Sequence, residues 1–367
     1  MTPLTSPVKD LPIRKMAALD QAIAEISAWE TSVPTDLKAF KLRENAETFA
    51  EGEHAAIIGP MPDRGPATGV VLYRGTLVGS WGTPQRPDIA FSVTKAALAT
   101  MAGLALGEGL IPALDSRVSD VVPLQEFAEN PNKDITWRHL LTFTSEWRGM
   151  LWGIPDSIDW NRAVPSRPGA PAKGSHRLLR DPGEYWEFND VRVNVLALAL
   201  THLWREPLPD VFKRQVMDPI GASGQWRWGG YDNAFAAIGG RRVPVVAGGA
   251  HWGGGLVISA LDLARLGLLY ARRGRCDGQA IFPTLWLDLV SSPTALNPDF
   301  GMMWWNNFRG SIASLSRRAI WCSGIANLLL VDPDEDLVLV IRWHDAARRD
   351  RMIEKIVQAL AAGSTAP

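Results

Sequence analysis

The sequence predicts an α+β fold, in which one antiparallel sheet is flanked by N- and C-terminal helices and a mainly helical subdomain is inserted between its strands. Runs of β-favouring residues lie towards both ends of the 367-residue chain, at 68–81 and 320–343. Helical patterns dominate between them, from about 106 to 246. Strands from both ends must therefore share one sheet, and helices at 15–30 and 349–361 would flank it.

Each element is predicted from its own local pattern. Thr68–Tyr73 and Thr76–Trp81 are rich in β-formers and enclose Arg74-Gly75, which predicts a hairpin. Residues 96–110 are apolar nearly all round, which predicts a helix that is buried on every side. The other predicted elements are helices at 132–143, 191–204 and 261–272, a loop at 147–173, a glycine-rich turn at 248–255 and strands at 320–331 and 336–343.

The length of the chain fits one catalytic unit that is divided into two subdomains. We expect this unit to span residues 15–362. Its α/β subdomain would comprise residues 15–105 and 247–362, and its mainly helical subdomain residues 106–246. Residues 1–14 are expected to be disordered.

Composition argues against several classes of partner. Lys plus Arg number 38 and Asp plus Glu number 39, and this balance argues against nucleic acid or an anionic membrane. The longest nearly uncharged stretch, Ala96–Gly107, is too short to cross a bilayer. Charged residues precede any apolar run at the N-terminus, so we expect no signal peptide and a cytoplasmic protein.

No metal or cofactor is expected. The two cysteines, Cys276 and Cys322, cannot form a disulfide framework, and the six histidines show no metal-ligand spacing. The sequence has no phosphate-binding loop, dinucleotide-binding fingerprint or Gly-x-Ser-x-Gly motif, which argues against kinases, dehydrogenases and the usual α/β-hydrolases.

The strongest chemical signal is Ser92-Val93-Thr94-Lys95, just before the apolar helix. Residues three apart on a helix share a face, so the lysine amine can reach the serine oxygen. Burial against an apolar helix lowers a lysine pKa, and a neutral amine can take the serine proton. The helix N-terminus would add positive potential at the serine. The structural alternative is an N-cap serine with a surface lysine one turn later. Ser6 and Lys9 have the same spacing, but they lie in the segment expected to be disordered.

On these residues the chain resembles the serine β-lactamase-like family, which includes class C β-lactamases, D-Ala-D-Ala carboxypeptidases and related esterases. The resemblance covers residues 15–362 and implies a β-lactamase/transpeptidase-like fold. It rests on FSVTKAALA, ITWRHLLTFTS, DPGEYWEFND, GGGLVISALDLARLG and the final hairpin after WCSG.

The resemblance implies a second element, Tyr-x-Asn, whose tyrosine would share proton transfer with the lysine. The matching positions are Phe188, Asn189 and Asp190, and the phenylalanine has no hydroxyl. Three substitutes stay open: Lys95 acting through a water, Tyr185, or the tyrosine of Tyr231-Asp232-Asn233.

The resemblance also implies a third element, Lys/His-x-Gly, on the strand beside the cleft. Here the match is Cys322-Ser323-Gly324, so the basic side chain is missing and we expect carboxylate-bearing substrates not to be preferred. By the same resemblance, the N–H groups of Ser92 and Ile325 would form an oxyanion hole. His251 and Trp252 precede three glycines and could assist or bind substrate, although packing is the alternative.

These features together predict a serine hydrolase that cleaves a small-molecule ester or amide through a Ser92 acyl-enzyme with Lys95 as general base. Two alternatives remain: a weakened or inactive ligand-binding homologue, supported by Phe188 and Cys322, and an acyltransferase that uses the same acyl-enzyme.

Overall fold

The computed structural model describes residues 11–14, 16–164 and 168–364. Its α-helices are α1 (Ala17–Ile26), α2 (Leu37–Arg43), α3 (Lys95–Gly107), α4 (Trp137–Leu141), α5 (Asp190–Trp204), α6 (Leu208–Phe212), α7 (Ala260–Ala271), α8 (Leu285–Ser291) and α9 (Arg349–Ser364). Its strands are β1 (Thr68–Tyr73), β2 (Thr76–Trp81), β3 (Asp88–Ile89), β4 (Met150–Leu151), β5 (Ile154–Pro155), β6 (Arg227–Gly229), β7 (Phe235–Ile238), β8 (Arg241–Pro244), β9 (Gly255–Ile258), β10 (Arg275–Cys276), β11 (Gln279–Ala280), β12 (Trp305–Asn306), β13 (Ile320–Gly324), β14 (Asn327–Asp332) and β15 (Leu337–Arg342).

The main sheet joins strands from both ends of the chain, which confirms the predicted α+β fold. Its order is β12-β13-β14-β15-β1-β2, and every neighbouring pair is antiparallel. Side chains alternate between two cores, as the two-residue period of a strand requires. In β15, for example, Leu339 packs with the terminal helices, whereas Val338 and Val340 pack into the larger core.

Helices cover both faces of this sheet. α1 and α9 pack together on one face, where Leu19 and Ile356 are fully buried. α7 packs on the other face against β1, β14 and β15. Gly267 allows this close approach, because a Cβ there would lie 2.5 Å from Val338 Cγ1. The sheet therefore lies between two helical layers.

The segment between α3 and β9 contains α4, α5 and α6 together with short strands. It connects to the rest of the chain through a three-stranded sheet, β3-β9-β6. A helix was predicted over 132–143, but a 3₁₀ turn at Asn132–Asp134 precedes the short helix α4. The prediction was too long because Thr136 caps α4 in a capping box with His139.

Other departures from the predicted elements are local. The strand predicted at 320–331 is two strands, since the chain turns at Ile325-Ala326 between β13 and β14.

Within the segment expected to be disordered, residues 1–10 lie outside the described residues. Residues 12–14 are ordered instead, because the backbones of Pro12 and Arg14 hydrogen-bond to Leu77 in β2. No helix among the described residues has the length and apolarity needed to span a membrane.

Candidate active site

Ser92 lies on a 3₁₀ turn, Phe91–Thr94, that leads directly into α3. Phe91 holds a left-handed φ of 47°, which bends the chain sharply just before the serine. α3 is almost entirely buried, as its apolar sequence predicts. The turn therefore fixes Ser92 at the N-terminal end of a rigid helix, where its side chain is half-buried.

Lys95 begins α3 and reaches back to the serine. Its Nζ lies 3.0 Å from Ser92 Oγ and 2.7 Å from Asp190 Oδ1. Lys95 is only 2% exposed, and this burial lowers its pKa against the opposing attraction of Asp190. Gly249 closes the site from behind, because a Cβ there would lie 2.9 Å from Lys95 Nζ and 2.8 Å from Asp190 Oδ1. The amine is thus held between a hydroxyl and a carboxylate, away from bulk water.

Asp190 is the first residue of α5, and its carboxylate binds two cations. Oδ1 accepts from Lys95, and Oδ2 accepts from Arg162 Nη1 at 2.7 Å. His251 Nδ1 lies 4.0 Å from the same Oδ2. Burial alone would raise the pKa of Asp190, but Lys95 and Arg162 hold it well below its usual value. Asp190 is therefore ionised beside the lysine.

Phe188 occupies the position where the resemblance implied a tyrosine. Its ring centroid lies 4.7 Å from Lys95 Nζ and 5.1 Å from the guanidinium carbon of Arg162. The ring thus stacks against both cations, but it offers no proton. Asn189 caps α5: its side chain accepts from the N–H groups of residues 191 and 192 and donates to Asp156 O. Its polar atoms are therefore engaged within the fold.

The structure does not bring the two alternative tyrosines to the serine. Tyr185 is half-buried, with the Arg177 guanidinium carbon 4.4 Å from its ring centroid. The Tyr231 hydroxyl accepts from Asn194 Nδ2 at 2.9 Å, and burial raises the pKa of Tyr231 well above its usual value. Among the described residues, no hydrogen bond joins either tyrosine to Ser92 or Lys95.

β13 passes directly beside the serine. A Cβ at Gly324 would lie 2.6 Å from Ser92 N, so only glycine allows this approach. Ile325 follows in a strained left-handed conformation with a φ of 35°. Cys322 points into the core, where its Sγ lies 3.4 Å from Met303 O and burial raises the pKa of its thiol. Gly324 and Ile325 therefore belong to the site, whereas the Cys322 side chain does not line it.

A cavity of about 470 Å³ opens over Ser92. Aromatic and small side chains form the wall near the serine, and Arg162 contributes a cation there. Arg349 and Asp345 also line the cavity. The cavity lining includes Ser92, Arg162, Val164, Phe188, Trp305, Ser323 and Ile325.

A second group of buried charges lies behind Asp190. Lys173 forms ion pairs with Glu51 and with Asp159, the latter at 3.0 Å. Glu51 also binds His251 Nε2 at 2.7 Å and Trp252 Nε1 at 2.9 Å. Burial, followed by nearby cations, lowers the pKa of His251 well below its usual value, which makes the imidazole neutral. His251 and Trp252 therefore support the site from behind.

This group also contains a set of potential metal ligands. One ligand atom each from Glu51, Asp159 and His251 lie within 4.8 Å of one another. The Lys173 ammonium already binds both carboxylates. A metal cation would have to compete with that positive charge, so the residues fit an ion-pair network better than a metal centre.

Sequence reasoning missed Arg162, Asp159 and Gly249. Arg162 and Asp159 lie in a loop that carries no motif, and only the fold brings them to Asp190. The glycine-rich turn at 248–255 did signal a close approach. What approaches Gly249 is the Lys95–Asp190 pair.

The Beta-lactamase family matches residues 67–363, which is most of the chain. The chain belongs to the β-lactamase family. This membership confirms the resemblance stated from the motifs. Among curated protein sequences, none matches this chain.

Solved structures show the same fold at low sequence identity. A penicillin-binding protein homolog from Caulobacter crescentus is 18% identical, with a TM-score of 0.58, over 91% of this chain and 99% of that one. EstCE1, a hydrolase with promiscuous acyltransferase activity, is 16% identical, with a TM-score of 0.58, over 93% of this chain and 99% of that one. A family VIII carboxylesterase is 17% identical, with a TM-score of 0.57, over 90% of this chain and 100% of that one. These likenesses confirm the β-lactamase-like fold, and the family membership supports a serine hydrolase in general terms.

Proposed function

We propose that this protein is a serine hydrolase that cleaves an ester or amide through an acyl-enzyme on Ser92. The observation that carries the proposal is the hydrogen-bonded series Ser92 Oγ, Lys95 Nζ and Asp190, which lies at the base of a cavity. A nucleophile, a base and a group that orients the base are the parts that covalent acyl transfer requires.

In the first half-reaction, neutral Lys95 accepts the proton of Ser92 Oγ as this oxygen bonds to the substrate carbonyl carbon. The tetrahedral intermediate collapses when the resulting ammonium gives its proton to the leaving alcohol or amine. Asp190 keeps Nζ in reach of the serine throughout, since it binds the amine from the opposite side. The acyl group is then bonded to Ser92.

In the second half-reaction, Lys95 accepts a proton from water as the water oxygen attacks the acyl carbon. Ser92 Oγ leaves and recovers a proton from the ammonium, which restores the starting state. The N–H groups of Ser92 and Ile325 are the proposed donors to the oxyanion in both steps. Gly324 supports this assignment, because its close approach places the backbone that follows it beside Ser92.

The cavity favours a substrate that is apolar and uncharged near its carbonyl. Phe188, Trp305 and Val164 supply apolar surface to the same cavity that Ser92 lines. Arg162 places a cation there, but the carboxylates of Asp190 and Asp159 already bind it. This compensation leaves little net attraction for a substrate carboxylate.

The experiment is covalent labelling with a fluorophosphonate, followed by mass spectrometry of the intact protein and of its peptides. We expect one adduct on Ser92 in the natural protein and none in Ser92→Ala. Ser80→Ala is the matched control, because Ser80 is an exposed serine of β2 outside the lining of this cavity and its replacement should leave labelling unchanged. If the natural protein forms no adduct after full incubation, the proposal fails and the ligand-binding alternative is favoured.

A further inference from the structure

Asp190 makes the environment of Lys95 unusual for a base. A carboxylate at 2.7 Å stabilises the ammonium form, whereas catalysis needs the amine to release its proton. The other oxygen of that carboxylate is bound by Arg162 at 2.7 Å. Each cation therefore binds one oxygen of the same buried carboxylate.

We propose that Arg162 is a positioning residue that neutralises Asp190, so that Lys95 can lose its proton while Asp190 continues to orient the amine. This inference rests on the proposed function. When Lys95 becomes neutral, Arg162 is the remaining cation in contact with Asp190 among the residues that the structure describes, and it prevents Asp190 from being an unpaired buried charge. Phe188 helps to hold the arrangement, because its ring contacts both cations.

The charges around Lys95 come from several elements. Asp190 belongs to α5, Arg162 and Asp159 to the loop before it, His251 to the turn before β9, and Cys322 to β13. His251 and Cys322 lie near the pair in their neutral forms, since burial lowers the pKa of the imidazole and raises that of the thiol. Asp159 binds Arg162 at 3.2 Å and Lys173 at 3.0 Å, so it has cations of its own. Within the described part of the chain, Arg162 is therefore the cation that can balance Asp190 when Lys95 is neutral.

The predicted consequence is a shift of the rising limb of the pH–rate profile, which reports deprotonation of Lys95. In Arg162→Gln, unbalanced Asp190 would hold the ammonium more strongly, and the limb should move to higher pH by roughly one to two units. In Asp190→Asn, the attraction is absent and the limb should move to lower pH. In the double variant there is no carboxylate for Arg162 to neutralise, so its limb should lie close to that of Asp190→Asn.

The experiment measures kcat/KM for p-nitrophenyl acetate with the full chain from about pH 5 to about pH 10. This pH range extends to both sides of neutrality, where a general base is most effective. Arg162→Lys keeps the charge and should keep the limb within about half a unit of its natural position, even if kcat falls. Arg214→Gln is the matched control, because Arg214 is exposed, lies outside the lining of this cavity and pairs with Glu206. Its limb should not move.

The outcomes separate this inference from the proposed function. If hydrolysis persists unchanged in Ser92→Ala, the proposed function itself fails. If hydrolysis depends on Ser92 but the limb is unmoved in Arg162→Gln, only the role of Arg162 is overturned. Should Arg162→Gln fail to fold, Arg162→Met replaces it, and an unmoved limb in that variant would overturn the inference. A limb of the double variant that lies well above that of Asp190→Asn would also overturn it, because Arg162 would then act on Lys95 without Asp190.

Discussion

Replacing Gly324 by alanine tests whether the backbone beside Ser92 forms part of the reacting site. A methyl carbon there would lie 2.6 Å from Ser92 N and 2.8 Å from Ser92 Cβ, whereas ordinary van der Waals contact begins at 3.4 Å. β13 and the serine would have to separate by about 0.8 Å, because neither is a flexible side-chain end. Gly324 has no left-handed φ, so alanine adds no backbone strain.

A displacement of this size should reduce catalysis strongly. Catalytic groups need positioning within about 0.5 Å, and a misplacement near 1 Å can reduce a rate by about 10²-fold. We therefore expect kcat for p-nitrophenyl acetate to fall by about 10²-fold, equivalent to about 2.7 kcal/mol of transition-state stabilisation. The proposed oxyanion donors would no longer converge on one oxygen.

The assay combines steady-state kinetics with thermal unfolding. Gly224→Ala is the matched control, since a Cβ at Gly224 meets nothing within 4 Å. This control should keep both its activity and its melting temperature. A folded Gly324→Ala protein with kcat within about threefold of the natural value would refute the argument, because positioning losses of this kind are expected to be far larger.

Two further predictions concern Phe188 and the buried charges. Restoring a missing general acid would raise kcat by about 10²-fold or more. We expect no such rise in Phe188→Tyr, because Asp190 already binds Lys95. An increase of about that size in an esterase assay would contradict this prediction. Lys173→Met should lower the free energy of unfolding, measured with urea, by about 3–5 kcal/mol, because it leaves two buried carboxylates without this partner. Lys213→Met, in an exposed ion pair with Asp218, should cost no more than about 1 kcal/mol, and equal losses in the two variants would contradict the role of burial.

The main sheet could be predicted because its strands carry local signals. The hairpin of β1 and β2 has β-formers on both sides of Arg74-Gly75, and the structure has the same bounds. The turn between β13 and β14 could not be predicted in this way. Both of its central residues, Ile325 and Ala326, have a positive φ, a conformation that normally selects glycine or asparagine. Tertiary contacts hold that turn, and Trp343 N, for instance, donates to Ala326 O at 2.7 Å.

The candidate site also contains residues that a local sequence signal predicts and residues that only the fold brings together. Ser92 and Lys95 could be found because their spacing on one helix places them together whatever the rest of the fold does. Phe188 and Asp190 were located by the resemblance, although it gave no reason for a carboxylate to contact the lysine. Arg162 could not be found, since its role depends on a loop whose path is set by contacts distant in sequence.

Those distant contacts explain why the loop before α5 belongs to the site although it carries no motif. A buried carboxylate is stable only when cations and hydrogen bonds replace its lost hydration. Asp190 needs this compensation most at the moment when Lys95 gives up its charge. Arg162 can supply it because Asp159 anchors the arginine from the same loop, and Lys173 in turn binds Asp159. The loop would therefore act on catalysis through charge rather than through contact with the reacting atoms.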